Sequence, residues 1–201
     1  MLEFVRRSYP VEVRAEPDET GHIITGRPII FESKTDLGKF YEVIDRDALH
    51  GADLSDVSLL VNHNLDMIPL ARSTSSNQNS TLQLQLDTNG LAIRANLDIE
   101  NNSSARALYS AVQRGDISGM SFAFWLSDVE WYDLDSTKPT RRITKIERVL
   151  EVSAVTYPAY EQTEIQAQRN QILLDEARRS RPSEELTLEK MKFNVLFGGQ
   201  S

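Results

Sequence analysis

The chain has no cysteine in 201 residues, so disulfides, thiolate metal sites and a cysteine nucleophile are all excluded. Histidine is nearly as scarce. His22, His50 and His63 are the whole set, no His-x-x-x-His pair occurs, and neither a metal nor a cofactor is expected. No apolar run approaches the ~20 residues of a membrane span, and the opening MLEFVRRSYPVEV has no signal-like apolar stretch, so no membrane partner is expected. Basic residues are outnumbered by acidic ones, 22 to 30, for a net charge of −8, which gives no electrostatic basis for nucleic-acid binding. What remains, 40% hydrophobic and 26% charged residues, is the composition of a globular domain long enough to bury a core.

The pattern along the chain is mainly β. Val11 and Val13 alternate with Glu12 and Arg14, PDETG follows as a turn, and HIITGRPIIF reads as a strand bent or bulged near Gly26 and Pro28. A short helix is expected around Asp45–Leu49. Val57–Val61 is a continuous apolar run, the mark of a strand buried on both faces, and it ends at His63; ARSTSSNQNST reads as a loop. Leu82–Leu86 and Leu91–Ile99 are period-two runs joined through Asn89-Gly90, a hairpin in which both turn residues tolerate positive φ. A helix capped within Asn102–Ser104 and stopped by Gly115 turns Ala105, Leu108 and Val112 to one side. Two further strands, DISGMSFAFWL and RITKIERVLEVSAVTY, precede a helical stretch over Glu161–Arg179 with Ile165, Ile172, Leu173 and Ala177 on one side. The fold class is mainly β with helices (α+β): a mostly antiparallel β barrel or sandwich over 1–160 and a helical C-terminal arm over 161–201.

DISGMSFAFWL contains two serines. In a strand, Ser118 falls with Met120, Phe122, Phe124 and Leu126 on the core side, while Ser121 lies between Gly119 and Ala123 on a face of small residues. That spacing favours Ser121 as the accessible hydroxyl, although a serine on a strand face is commonplace. A serine becomes nucleophilic only with a positioned base. His63, at the end of the apolar run and on the parity of Leu59 and Val61, is the best of the three histidines; a loop-bonded strand-end histidine would look the same. Glu151, on the parity of Val149, Ser153 and Val155 in an apolar strand, would need a partner if buried, and would be merely solvated if that face is open. Periodicity alone does not bring the three together.

Four short blocks, in order, resemble the prohead (procapsid maturation) serine proteases of tailed bacteriophages, which are distantly similar to the herpesvirus assemblins. They are ITGRPIIFES with GKFYEVIDRDAL, LLVNHNLDMIPLARS with its histidine and Pro-x-x-Arg, ISGMSFAF, and LEVSAVTYPAY. The resemblance spans about residues 23–160 and implies a herpesvirus-protease-like β barrel flanked by helices. Carried over by residue, it implies His63 as the catalytic histidine, Ser121 as the nucleophile and Glu151 as the third member. One departure is Ala123, where the family usually has glycine.

The expectation is therefore a cofactor-free serine endopeptidase acting inside the viral procapsid in the host cytoplasm. It would cleave the major capsid protein or its scaffolding segment, and also itself, with substrate held as an extended strand along the Ser121 strand and with room for a homo-oligomer. The rival readings are a non-catalytic β-barrel scaffold or capsid-assembly module, and a small-ligand barrel.

Overall fold

The computed structural model describes residues 2–9, 13–18, 21–74, 80–157 and 164–180. Its elements run β1 (Glu3–Tyr9), β2 (Val13–Asp18), β3 (Gly21–Ile30), β4 (Thr35–Asp36), β5 (Tyr41–Ile44), β6 (Asp56–Val61), β7 (Ala71–Thr74), β8 (Leu82–Asp87), β9 (Gly90–Leu97), α1 (Ser103–Arg114), β10 (Gly119–Tyr132), β11 (Thr140–Val155) and α2 (Glu164–Arg179). The fold is mostly β with two helices, as expected. The strands pair as a seven-stranded sheet, β1-β10-β11-β5-β4 with β6 on β11 and β7 on β6, and a four-stranded sheet, β2-β3-β9-β8. Among the described residues neither sheet closes on itself. Both contribute to one apolar core, in which Ile24, Ile29, Leu91 and Ile93 of the smaller sheet join Met120, Phe122, Phe124 and Val152 of the larger.

Local chemistry accounts for most boundaries. The β8–β9 hairpin forms in the expected register, from Leu82 opposite Ala95 to Asp87 opposite Gly90, but its two-residue loop is Thr88-Asn89. Only Gly90 takes a positive φ there, of 140°, while Asn89 donates its N–H to Asp87 Oδ1 at 2.7 Å. Glycine is required at 90 because a Cβ would lie 2.0 Å from the Ile29 carbonyl oxygen. Helix α1 starts at Asn102, whose side chain accepts from the N–H groups of Ser104 and Ala105, and stops at Gly115 with φ 78°. Its buried residues are Ala105, Leu108, Tyr109 and Val112. The expected irregularity in β3 is a register shift between Gly26 and Ile29.

Several expectations change. Asp45–Leu49 forms successive turns rather than a helix, with Ala48 N–H bonded to Asp45 O and His50 N–H to Asp47 O. The segment read as a loop from Ala71 begins as β7, paired with β6; residues 75–79 lie outside the described part. On α2 it is Leu174 that is buried while Ile172 is exposed, because the helix is oriented by polar contacts: Asn170 Nδ2 donates to Leu37 O at 3.1 Å and Arg169 Nη2 to Glu3 Oε1 at 3.0 Å. Ile165 and the tail over 181–201 lie outside the described side chains.

A buried ionic cluster ties the N-terminal strand to the rest. Glu42 on β5 accepts from Arg7 Nε and from Arg7 Nη2 (2.9 Å), and Arg141 Nη1 approaches it at 3.3 Å while Arg141 Nη2 donates to Glu3 at 2.8 Å. Burial pushes the Glu42 carboxyl pKa up, but the Arg7 charge and hydrogen bonds, with Arg141 behind them, outweigh burial and hold it below the usual carboxylate range. A folded-state pKa below the unfolded one stabilises the fold above the unfolded value and loses that contribution as pH falls through the folded value. Glu42→Gln is expected to cost about 3–5 kcal/mol, because it leaves Arg7 buried against a neutral amide. Urea melts at neutral pH read the loss. The mutant–wild-type gap should narrow as pH falls below about 4, and a gap independent of pH would show that the carboxylate charge is not what stabilises β1.

Candidate active site

The three residues singled out in the sequence meet on one face of the larger sheet. Ser121 lies on β10 opposite Ser8 of β1 and Ser153 of β11, and Ala123 lies opposite Glu151, so these five residues form a compact cross-strand block. β6 runs parallel to β11, with Ser58 beside Glu151 and Val61 beside Ala154, which delivers the residues after Val61 to the same end of the sheet.

The turn that aims His63 is unusual. Asn62 and His63 both have left-handed backbones, φ 50° and 57°. This conformation costs a non-glycine residue on the order of 1–3 kcal/mol and persists where the surroundings enforce it. Here they do. Asn62 N–H bonds to Ala154 O at 3.0 Å, the Asn62 side chain accepts from Thr156 N–H at 3.0 Å and donates to Thr156 Oγ1 at 3.2 Å, and His63 N–H donates to Ser153 Oγ at 3.1 Å. The two left-handed residues break the strand parity, so His63 does not continue the row of Leu59 and Val61 but turns onto the serine face.

There, His63 Nε2 is 2.5 Å from Ser121 Oγ, and His63 Nδ1 is 2.5 Å from Glu151 Oε1. The other carboxylate oxygen accepts from Ser153 Oγ at 2.5 Å. Glu151 is thus a buried acid with two donors, which answers the question its apolar setting raised. A carboxylate on Nδ1–H leaves Nε2 unprotonated in the neutral ring, the tautomer that can accept a proton from a hydroxyl.

Glu151 does not share a side with Val149, as strict alternation would require. The ladder shifts so that Phe124 faces Val149 while Ala123 faces Glu151, which makes Leu150 the extra residue of a bulge. Val149 and Val152 both enter the core, and Glu151 and Ser153 emerge together on the other face.

Ser121 itself is a correction. It is fully buried, 0% exposed, whereas Ser118 precedes β10 and is exposed. Small neighbours did not leave Ser121 open; they let surrounding groups close on it. Its Oγ also lies 2.9 Å from the carbonyl oxygen of Arg7, which can only accept, so its one proton has two acceptors in reach. Both edges of β10 are taken, by β1 and β11, so a substrate cannot add as a strand beside Ser121 while β1 is in place. Of the other histidines, His50 is exposed and His22 packs edge-on against Tyr109 at 5.1 Å. Arg72, of the Pro-x-x-Arg block, is bonded to Asp56 at 2.7 Å through both Nε and Nη2.

Two contributors were missed by sequence reasoning: Ser153, which bridges the Glu151 carboxylate and the His63 backbone, and Asn62, which sets the turn. The only signal for Ser153 was its position two residues after Glu151 on the same strand.

The comparisons bear on the class of the protein. The family model described as caudovirus prohead serine protease matches residues 9–176. The chain belongs to that family. The matched span includes His63, Ser121 and Glu151, and the family supplies the class of the protein, a serine protease of bacteriophage capsid maturation. Among solved structures, the bacteriophage T4 capsid assembly protease, gp21, is 14% identical, with a TM-score of 0.40, covering 75% of this chain and 97% of that one. No curated protein matches the chain.

Proposed function

We propose that the chain is a serine endopeptidase of procapsid maturation whose nucleophile is Ser121, whose base is His63 and whose orienting acid is Glu151. The observation that carries this reading is the continuous chain of contacts from Ser121 Oγ through both His63 nitrogens to Glu151, the arrangement acyl transfer needs. The two sheets around one core, with α1 beside them, are read as the halves of a flanked β barrel of the herpesvirus-protease kind over 1–160, and 161–201, which contains α2, as an arm for packaging or self-cleavage.

In the first half-reaction Ser121 Oγ attacks a peptide carbonyl carbon and its proton passes to His63 Nε2. The imidazolium, held by Glu151, then protonates the departing amine nitrogen as the C–N bond breaks, leaving an ester on Ser121. In the second, water attacks the ester, His63 takes its proton, and the restored Ser121 hydroxyl leaves with a proton from His63. For the first step the hydroxyl proton must lie toward His63 rather than toward Arg7 O. The buried Ser121 also requires that the groups covering it move before substrate enters.

The substrates in this reading are capsid or scaffolding segments, and the chain itself, inside the immature shell. The test is co-expression of the chain with the major capsid and scaffolding proteins of its phage, with intact-mass measurement of the assembled shells. Shortened chains with new termini that vanish when this chain is omitted are the expected result. Full-length partners in shells that incorporate it would leave a non-catalytic assembly module.

A further inference from the structure

Beside the His63 turn lies a groove of about 490 Å³ that the chemistry above does not use. It is lined on one side by Val61, Asn62, Asn64 and Met67 and on the other by α1 through exposed Ala107, half-buried Ala111 and buried Leu108, with Ile117 completing the lining. Six of its nine lining residues are apolar, and its polar lining is uncharged, from Asn62, Asn64 and Ser104, a composition that suits an apolar group. Its position is what gives it meaning. Asn62 and Asn64 are the two chain neighbours of His63, and Ile117 lies four residues ahead of Ser121.

A second observation indicates what enters it. The segment following His63 presents Leu65 and Ile68 at 67% and 81% exposure. Large aliphatic side chains left out of the core beside a groove mark a surface that gains by covering with apolar chain. The acidic residues of the chain do not line the groove, so nothing there selects a basic side chain.

Resting on the protease reading, we infer that this groove is a specificity subsite that seats one large apolar side chain of the substrate polypeptide, a few residues at most from the bond being cut. The exposed Leu65 and Ile68 extend the same contact along the substrate. Selection is then by aliphatic or aromatic bulk at one fixed position, with a rejection of charge there because a charged side chain would lose its water without a partner.

The probe is a peptide mixture of random sequence, digested with the intact chain and read by mass spectrometry for the residues around each cut. Wild type is expected to show large apolar residues enriched at a single position relative to the cleaved bond. Ala107→Phe puts a ring into the groove from an exposed helix position, where the core is not disturbed. It should lower the ratio of cutting at large apolar to cutting at small residues by about tenfold or more. Met67→Ala, which widens the opposite wall, should shift that preference toward bulkier aromatics. Cuts with no apolar enrichment at any position, or an unchanged profile in Ala107→Phe, would overturn the inference while leaving the protease reading standing. If wild type makes no cut that Ser121→Ala fails to make, the protease reading falls, and this inference with it.

Discussion

Ser121→Ala and His63→Ala are each expected to lower the rate of peptide cleavage by about a millionfold, and the double variant to be no slower than either alone. The reason is that neither residue does its work without the other. Ser121 Oγ reaches a reactive state only as its proton leaves for His63 Nε2, 2.5 Å away, and that ring nitrogen has no role in the chemistry without a hydroxyl to deprotonate. Single-turnover cleavage of the capsid protein, with circular dichroism to show that each variant folds, reads the effect. Rates that multiply in the double variant would mean that the two act independently, and the acyl-transfer scheme would be wrong. Ser118→Ala supplies the control. Ser118 is exposed and lies ahead of β10, so cleavage should persist at near wild-type rates, and its loss would move the nucleophile to the other serine.

That control also shows where sequence reasoning reached the right residue by an incomplete route. Alternation in GMSFAFWL correctly separates the core row Met120, Phe122, Phe124 and Leu126 from Ser121, because β10 is regular over that stretch. It fails one residue earlier, since Ser118 is not yet in the strand. The hairpin and α1 were legible because their main determinants are local: two period-two runs joined by a turn in which Asn89 N–H bonds to Asp87, and Asn102 and Gly115 at the helix ends. The site was not legible by periodicity because two non-local irregularities build it. The bulge at Leu150 rotates Glu151 and Ser153 away from Val149, and the left-handed pair Asn62-His63 swings the imidazole off the β6 row. Each is stabilised by residues far away in sequence, such as Thr156 and Ala154 for Asn62. No window over 57–63 or 149–155 alone contains that information.

The cover over Ser121 was invisible for a related reason. β1 pairs with β10 across more than a hundred residues, and its hold depends on Arg7 finding Glu42 of β5. An extended strand expected alongside Ser121 is indeed there, but it is the chain's own N-terminal segment. Ala123, in place of the family's usual glycine, faces Glu151 in register rather than any incoming chain. Ala123 is itself buried there, so its methyl group lies within the packed sheet and not on an open substrate face.

Glu151→Gln is expected to lower kcat by about 10⁴-fold with little change in KM, and Ser153 is the reason the effect should be so large. Ser153 Oγ accepts from the His63 backbone N–H, so its own proton points to Glu151 Oε2. When the carboxylate becomes an amide, that hydroxyl selects the amide oxygen, since an NH₂ group cannot accept. The amide nitrogen is then turned toward His63 Nδ1 as a donor. Nδ1 must accept, the ring proton moves to Nε2, and Nε2 can no longer take the proton of Ser121. A variant that keeps a carboxylate, Glu151→Asp, should recover part of the rate although its reach is shorter. In Glu151→Gln/Ser153→Ala the amide is free to turn its oxygen to Nδ1, so the double variant should be faster than Glu151→Gln alone. Steady-state kinetics on one peptide substrate distinguishes these outcomes. A Glu151→Gln enzyme within tenfold of wild type, or a double variant slower than the single, would remove Glu151 from the site and Ser153 from its support.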